Sequence, residues 1–433
     1  MKPLLTLAEV NEVKALIKNT PLAGKITAPP SKSYAHRALI CAALAEKPTK
    51  ILLSSVCEDV FATAAALSAM GGGFEETDGG ILLTPIDKIP RKALINCGES
   101  GSTLRFLLPL ASTLIKDGSF IGSGRLPQRP IGELLTALSK NGAVFGGDRL
   151  PLSVFGGLKP GSFELSGEQS SQFVSGLLLA LPILSGDSEI ILKNPLVSAP
   201  YVDITLQVMK DFSVEVSKTH RGFSIPGGQK YRSPGEYSIE GDWSAAAYFL
   251  AAGALGSGVS LSGLSLTSKQ GDRAILDYLS DFGAEVSASE ASVQAFKRPL
   301  RCREIDISQT PDLLPILAIL ACGAQGKSRF FNAARLRTKE SDRLQSSAAL
   351  INALGGKALV SDDGLEVFGS QLIGGTVDAA HDHRIAMCAA IAALICEKPV
   401  QILGAEAIKK SYPRFFDDFS SLGGTTEFSE REF

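Results

Sequence analysis

Cations and hydroxyls stand together at the start of an apolar segment near the beginning of the chain. The stretch from Ala28 to Ala45 reads APPSKSYAHRALICAALA, which places Lys32, Ser33 and Arg37 on the first turns of a predicted helix. The amino-terminal end of a helix already carries partial positive charge and unpaired N–H groups, so cations there cost stability. The pattern therefore predicts that an anion binds at this end.

The same arrangement recurs five times further along the chain. Each recurrence is a short polar cluster that runs directly into a helix with almost no polar face, and the spacing of about 70 residues is typical of a repeated architecture. Helices that are apolar all round must be buried. The recurrences read CGESGSTLRFLLPLAS from Cys97, EQSSQFVSGLLLALP from Glu168, EGDWSAAAYFLAAGAL from Glu240, SQTPDLLPILAILACG from Ser308 and AHDHRIAMCAAIAAL from Ala380.

Basic side chains gather at or near these helix starts, although the whole chain is almost neutral. Any single arginine or lysine is better explained as a solvated surface group, and any single serine as a helix cap. Their repetition at equivalent places favours a small ligand with phosphate and carboxylate groups, which pair well with helix N-termini and arginine. The basic residues concerned are Lys32, Arg37, Arg105, Arg129, Lys339, Arg343, Arg384 and Lys410.

Amphipathic helices and strand-like runs between the apolar helices set the fold class. Helix, Gly and a β-rich run follow one another, as in DVFATAAALSAMGGGFEET and RAILDYLSDFGAEVSAS. The repeat unit is therefore α/β, with one buried helix, one surface helix and strands outside. A chain of 433 residues suggests two domains, hence three repeats in each.

The domain boundary is predicted from a run of Pro, Gly and polar residues between the third and fourth repeats, PGGQKYRSPGEYSIEGDW. Residues 23–237 would form the first domain. Residues 238–433 would form the second, together with an N-terminal helical segment within residues 1–22 that packs on it.

Composition excludes several classes of protein. The formal net charge of −2 gives no reason to expect nucleic acid or a membrane as the main partner. Seven cysteines without a CxxC pair, and only four histidines, argue against a structural zinc site. The first residues lack the basic and apolar regions of a signal peptide. We therefore expect a cytoplasmic protein without a metal.

Seven motifs in order along the chain resemble those of the 5-enolpyruvylshikimate-3-phosphate synthase family. They read SKSYAHRAL, GESGSTLR, SSQF, EGDWSAAAYFL, QTPD, KESDRL and DHRIAM. The resemblance implies a two-domain inside-out α/β barrel of six repeats, with buried parallel helices and sheets outside. It also implies transfer of the enolpyruvyl group of phosphoenolpyruvate to the 5-hydroxyl of shikimate 3-phosphate, through a tetrahedral intermediate with release of phosphate. The expected protein is a monomer that needs no cofactor.

The same resemblance implies a role for particular residues. Asp312 is expected to be the base, and Lys32 or Glu340 the proton donor. The expected ligands of shikimate 3-phosphate are Lys32, Ser33, Arg37, Ser170, Ser171, Gln172, Ser198, Tyr201, Asp312 and Lys339. Those of phosphoenolpyruvate are Lys32, Gly101, Arg129, Gln172, Arg343, Arg384 and Lys410.

Three positions depart from the family pattern, and two rival functions remain as alternatives. Glu99 stands where an asparagine is common, and Arg335 stands where an asparagine often contacts the acceptor, so Arg335 is left outside the predicted site. Phe106 replaces a proline, which leaves open the response to glyphosate-type inhibitors.

Two rival functions are the alternatives. One is a transferase acting on UDP-N-acetylglucosamine, whose loop carries a reactive cysteine where this chain reads GRLPQRPIG. The other is an RNA 3′-phosphate cyclase-like protein.

Overall fold

The computed structural model describes residues 13–430, which form twelve α-helices and 24 β-strands. The helices are α1 (Lys32–Leu44), α2 (Glu58–Ala69), α3 (Gly101–Leu114), α4 (Gly132–Lys140), α5 (Ser171–Ala180), α6 (Ala199–Asp211), α7 (Trp243–Leu255), α8 (Ile275–Phe282), α9 (Leu314–Cys322), α10 (Arg343–Ala353), α11 (His383–Ala392) and α12 (Phe415–Ser421). The strands are β1 (Val13–Ile17), β2 (Ala23–Thr27), β3 (Thr49–Leu52), β4 (Gly73–Thr77), β5 (Gly80–Thr84), β6 (Ala93–Asn96), β7 (Gly118–Ile121), β8 (Phe145–Gly146), β9 (Leu152–Val154), β10 (Ser162–Leu165), β11 (Ser188–Leu192), β12 (Ser217–Thr219), β13 (Gly222–Ile225), β14 (Glu236–Ser238), β15 (Gly258–Ser262), β16 (Glu285–Ala288), β17 (Val293–Phe296), β18 (Glu304–Asp306), β19 (Lys327–Phe331), β20 (Lys357–Ser361), β21 (Gly364–Phe368), β22 (Gly375–Asp378), β23 (Val400–Leu403) and β24 (Thr426–Glu430).

Six equivalent sheets confirm the predicted α/β class with its six repeats. Within residues 13–430 the strands form separate sheets of four rather than one closed barrel. Each sheet has one parallel pair and two antiparallel pairs, as β14, β3, β5 and β4 show in that order. The sheet orders are β14-β3-β5-β4, β6-β7-β9-β8, β10-β11-β13-β12, β16-β17-β15-β2, β18-β19-β21-β20 and β22-β23-β1-β24.

The six apolar helices predicted from the sequence are α1, α3, α5, α7, α9 and α11, and all of them lie inside. Every residue of α9 is buried, and all of α7 except Ser244. Helices α7, α9 and α11 contact one another, while α1 and α3 both contact α5. Burying each large apolar side chain stabilises the fold by about 1.5–3 kcal/mol, and these helices bury such side chains on all their faces.

Two core clusters divide the molecule, and we propose them as the cores of two domains. One cluster draws on α1–α6 and the other on α7–α12 with β1 and β2. We call residues 31–240 the first half, and residues 13–30 with 241–430 the second half.

The chain crosses between the halves through two segments that lie side by side. Ser31 N donates a hydrogen bond to Glu240 O over 2.8 Å, and Asp242 N donates to Pro29 O over 2.8 Å. Strand β2 precedes α1 but pairs with β15 of the second half, whereas β14 precedes α7 but pairs with β3 of the first half. The first crossing therefore follows Thr27, beyond the predicted boundary at residue 23, because pairing with β15 holds β2 in the second half.

The expected N-terminal helix falls largely on residues 1–12, which lie outside the described residues. The described part of that segment begins with β1, which pairs with β23 and β24. Burial alternates along its second part, because Ala15 and Ile17 are fully buried whereas Lys14 and Leu16 are partly exposed, as expected for a half-buried strand. Among residues 13–430, no helix is long and apolar enough to cross a membrane.

Close packing of α5 on α3 depends on Gly176. A Cβ atom at this position would lie 2.2 Å from the carbonyl oxygen of Arg105. We expect Gly176→Ala to lower the free energy of unfolding by about 1–3 kcal/mol, because the two backbones must move apart. Chemical denaturation monitored by circular dichroism measures this, with Gly132→Ala at the start of α4, where nothing lies within 4 Å, as the control. Equal stability of both variants would contradict the argument.

Candidate active site

A cavity of about 350 Å³ lies where the N-terminal ends of the apolar helices meet. Its lining includes Lys32 and Ser33 of α1, Gly101 of α3, Ser171 of α5 and Arg384 of α11. Residues from the starts of α7 and of the turn before α9 complete the wall. The positive ends of helices from both halves therefore point at one small space, as the repeated sequence pattern predicts.

The cavity brings together all but one of the residues that the sequence predicts for the site. Lys410 is the exception, because it does not line the cavity. The predicted residues that do are Lys32, Ser33, Arg37, Gly101, Arg129, Ser170, Ser171, Gln172, Ser198, Tyr201, Asp312, Lys339, Glu340, Arg343 and Arg384.

A buried network of charges forms the wall contributed by the second half. Arg343 Nη1 lies 2.7 Å from Asp312 Oδ1, and its Nη2 lies 2.7 Å from Glu340 Oε2. Its Nε donates to Asp382 Oδ2 over 2.8 Å. Asp382 also caps α11 by accepting a hydrogen bond from the Arg384 N–H over 3.0 Å. Three segments that are distant in sequence are thus held at fixed positions around one guanidinium.

The two halves contact each other across this network. Arg129 Nη1 of the first half lies 3.3 Å from Glu340 Oε1. Tyr201 Oη, also of the first half, donates to Asp312 Oδ2 over 2.9 Å. These bonds link the two halves across the cavity.

Two of the three carboxylates of the network, Asp312 and Glu340, line the cavity and stay ionised. Burial disfavours the charged form of Asp312, but Arg384, Lys339 and Arg343 outweigh burial and hold the pKa of Asp312 well below its ordinary value. Burial acts in the same sense on Glu340, and there Arg343 and Arg129 hold the pKa well below its ordinary value. Neither group carries a proton at neutral pH in this arrangement.

Two lysines of the cavity wall differ in their electrostatic environment. Burial disfavours the charged form of Lys32, but Asp59, whose Oδ2 lies 2.7 Å from Nζ, raises the pKa of Lys32 above its ordinary value. Burial lowers the pKa of Lys339 to about 8, because Asp312 at 3.9 Å compensates only in part. Lys32 is therefore firmly protonated, whereas Lys339 titrates close to physiological pH.

Glycine at position 101 makes room for two guanidinium groups. A Cβ atom there would lie 2.6 Å from Arg129 Nη1 and 2.9 Å from Arg105 Nη1. Arg105 Nη1 donates in turn to Gln172 Oε1 over 2.7 Å. The start of α3 thus lies beside two arginines that line the cavity, Arg105 from α3 itself and Arg129 from a later turn.

Lys410 is paired with the carboxylate that distinguishes this chain from the family pattern. Its Nζ atom lies against Glu99 Oε2 and 3.4 Å from the carbonyl oxygen of His381. Glu99 belongs to the first half and Lys410 to the second, so this ion pair is a further contact across the cleft.

Several arginines around the cavity have unused donors. Within residues 13–430, the buried Nε atoms of Arg105, Arg129, Arg335 and Arg384 have no hydrogen-bond acceptor. A buried donor without a partner costs about 1–3 kcal/mol, so these four side chains are held around the cavity at a cost to the stability of the fold.

The comparisons with known proteins agree with this geometry. The family profile of EPSP synthase (3-phosphoshikimate 1-carboxyvinyltransferase) matches residues 16–419. The 3-phosphoshikimate 1-carboxyvinyltransferase of Clostridium kluyveri is 42% identical over 413 residues, which cover 94% of this chain and 97% of the relative. That of Clostridium acetobutylicum is 42% identical over 412 residues, covering 93% of this chain and 96% of the relative. The chain belongs to the EPSP synthase family.

Solved structures extend the likeness to the fold. The EPSP synthase of Acinetobacter baumannii superposes with a TM-score of 0.80 at 27% identity, covering 97% of this chain and 100% of that one. The enolpyruvyl transferase NikO of Streptomyces tendae superposes with a TM-score of 0.78 at 18% identity, covering 98% of this chain and 100% of that one, and so shows the same fold.

Some residues of the cavity wall are not among the site residues that the family resemblance predicts. Asp59, Arg105, Asp272, Arg335 and His383 all line it. Burial and the neighbouring Asp312 raise the pKa of Asp272 to about 7, and its Oδ1 atom has no hydrogen-bond partner among the described residues. Arg105 carried a signal in the sequence, because it stands at the start of an apolar helix like the other cations. Arg335 stands at a position where the family often has an asparagine that contacts the acceptor, and His383 lies within the motif DHRIAM.

The low pKa of Lys339 predicts a pH dependence. If Lys339 must be charged to attract an anionic acceptor, kcat/KM for that acceptor should fall by up to about tenfold per pH unit as pH rises through about 8. The lysine is protonated below this value and neutral above it, so the loss lies on the alkaline side. Initial rates between pH 6 and pH 10 with the second substrate saturating measure the profile. Lys339→Arg should remove the alkaline fall, and an unchanged profile in that variant would assign the titration to another group.

Proposed function

We propose that this protein transfers the enolpyruvyl group of phosphoenolpyruvate to the 5-hydroxyl of shikimate 3-phosphate and releases phosphate. The observation that carries the proposal is the convergence of helix N-termini and cationic side chains from both halves on one cavity, in a member of the EPSP synthase family. Each substrate is a small anion with one phosphate and one carboxylate, which matches the charge of that cavity.

The two substrates are proposed to occupy opposite ends of the cavity. Hydroxyl donors of Ser170, Ser171 and Ser198 line the cavity with Lys339. We assign them to shikimate 3-phosphate together with Lys32, Ser33, Arg37, Gln172, Tyr201 and Asp312. We assign Lys32, Gly101, Arg129, Gln172, Arg343, Arg384 and Lys410 to phosphoenolpyruvate, because arginines bind carboxylate and phosphate with two parallel hydrogen bonds.

Arg37 has a second task beside any contact with substrate. Its Nη1 donates to Ser33 O over 2.7 Å, and its Nε donates to Thr205 Oγ1 over 2.6 Å. It also lies 4.8 Å from the ring centroid of Phe106. Arg37 therefore joins α1, α3 and α6 and positions the acceptor end of the cavity.

Asp312 is the proposed base. It would take the proton of the 5-hydroxyl while that oxygen attacks C2 of phosphoenolpyruvate and the methylene carbon gains a proton. The ion pairs with Arg343 and Arg384 keep Asp312 ionised but also weaken it as a base. A phosphoenolpyruvate carboxylate that attracts these arginines would raise the basicity of Asp312 at the moment the base is needed.

Lys32 is the proton donor that the electrostatics favour. It is protonated and lines the cavity, whereas Glu340 is ionised and would have to gain a proton first. Loss of phosphate from the tetrahedral intermediate, with loss of a proton from the new methyl group, then restores the enol ether. The contacts across the cleft exclude water, which would otherwise hydrolyse the intermediate.

We further propose that the protein acts as a monomer, because described residues of one chain line the cavity from both halves. We also propose that it works in the cytoplasm, as expected from the sequence. Glyphosate-type inhibitors are proposed ligands of the phosphoenolpyruvate end. Glu99 would hold Lys410 near that end until a substrate anion competes for it.

Phosphate release tests the proposed function directly. Purified protein with phosphoenolpyruvate should release phosphate when shikimate 3-phosphate is added. It should stay inactive with UDP-N-acetylglucosamine, because we assign Ser170, Ser171 and Lys339 to a small anionic acceptor. Release only with the sugar nucleotide would overturn the acceptor, and release with neither would overturn the activity.

Substitution of the base should separate chemistry from binding. We expect Asp312→Asn to lower kcat by about 10²–10⁴-fold, because the amide cannot take the hydroxyl proton. Stopped assays of the product measure kcat, and circular dichroism checks the fold, since Arg343 and Arg384 lose a counter-ion. Asp277→Asn, an exposed carboxylate on α8, is the matched control. A variant that keeps nearly full turnover would remove Asp312 as the base.

A further inference from the structure

Arg335, which the family resemblance leaves outside the site, lies in the cavity wall. It stands in the 3₁₀ turn Ala334–Thr338 that follows β19. Its Nη2 atom donates to Ser198 Oγ over 2.7 Å and to the carbonyl oxygen of Ser308. Arg335 and Ser308 belong to the second half and Ser198 to the first, so the guanidinium reaches across the cleft.

Arg335 lacks the carboxylate partner that its neighbours have. Arg337 Nη1 lies 3.1 Å from Asp342, and Lys339 Nζ lies 3.9 Å from Asp312. Among the ion pairs formed within residues 13–430, none includes Arg335, and its buried Nε atom has no acceptor. A largely desolvated guanidinium without a counter-ion is costly unless an anion binds to it.

The groups around Arg335 suit a phosphate group. Ser198 adopts a left-handed conformation with φ of 52° at the start of α6, and its hydroxyl makes no capping bond to that helix. Ser170 and Ser171 stand at the start of α5 and line the same cavity, as does Lys339. A phosphate monoester bound between Arg335 and these serines could therefore accept hydrogen bonds from three hydroxyls, two cations and the N-terminal ends of two helices.

We propose that Arg335 binds the phosphate group of the acceptor and makes this protein discriminate shikimate 3-phosphate from unphosphorylated shikimate. The inference rests on the proposed function and assigns a further binding residue to it. Because the serines come from the first half and Arg335 from the second, one phosphate contacts both halves. Recognition of the phosphate is therefore complete only when the cleft is closed.

The alternative is that Arg335 is a structural strap between Ser198 and Ser308. A strap would support closure equally for any acceptor, whether or not it carries a phosphate. A phosphate ligand would affect only the phosphorylated acceptor. The two roles therefore differ in a measurable ratio.

The experiment compares two ligands that differ only by the phosphate group. With phosphoenolpyruvate saturating, the KM for shikimate 3-phosphate and the inhibition constant of shikimate as its competitor are measured in the wild type and in Arg335→Met. We expect the KM to rise by about 10–100-fold, as for a lost charge-assisted pair, and the inhibition constant to change by less than about threefold. Arg329→Met removes the same charge from the exposed side of β19 and should change neither value.

Each outcome decides the role of Arg335. An equal rise in the KM for shikimate 3-phosphate and in the inhibition constant of shikimate would show that Arg335 only links Ser198 and Ser308. An unchanged KM would remove Arg335 from the phosphate site. If Arg335→Met unfolds, Arg335→Gln keeps a polar group near Ser198 without the charge and carries the same comparison. A wild type that turns over no shikimate 3-phosphate would overturn the proposed function itself, which separates that failure from a failure of the Arg335 inference.

Discussion

The guanidinium of Arg343 holds three carboxylates at once. Its Nη1, Nη2 and Nε atoms lie within 2.8 Å of Asp312, Glu340 and Asp382, and the side chain is 2% exposed. Removing one partner of such a buried group costs about 3–5 kcal/mol, because the other charge stays buried without a counter-ion. The turn before α9, the start of α10 and the cap of α11 are therefore fixed relative to one another, and the cavity takes its shape from them.

This network also explains how so much positive charge is stable in one place. Helix N-termini and cationic side chains repel one another across a cavity of about 350 Å³. Asp312, Glu340 and Asp59 offset part of that repulsion, and each is paired with an arginine or lysine that lines the cavity. Substrate anions that approach the cations compete with these carboxylates. In the proposed mechanism the same exchange of partners frees Asp312 to accept a proton, so that binding of the substrates and catalysis would be coupled.

The six repeats supply a common frame, and individual residues make it a particular site. Every repeat directs one helix end at the cavity. Glu99 and Arg335, by contrast, are single side chains that are not part of this repeated pattern, and they lie on opposite halves. Glu99 reaches Lys410 and Arg335 reaches Ser198, so both act across the cleft. The interlaced crossing segments, in which β2 and β14 exchange sheets, keep the halves adjacent while these side chains meet.

The amino-acid sequence by itself determined the six buried helices, their polar starts and the α/β repeat. Hydrophobic periodicity and helix ends are local properties, so α9 could be predicted as buried from LPILAILAC alone. The resemblance to the family also named site residues of which all but Lys410 line the cavity. The tertiary structure alone decided the exchange of β2 into the sheet of β15, the pairing of Glu99 with Lys410 and the place of Arg335. Glu99 and Lys410 are 311 positions apart, and no local pattern specifies which distant strand or charge will lie beside a given residue. That choice depends on how the folded halves bring surfaces together, because hydrogen bonds and ion pairs act over a few ångströms in space and not along the chain.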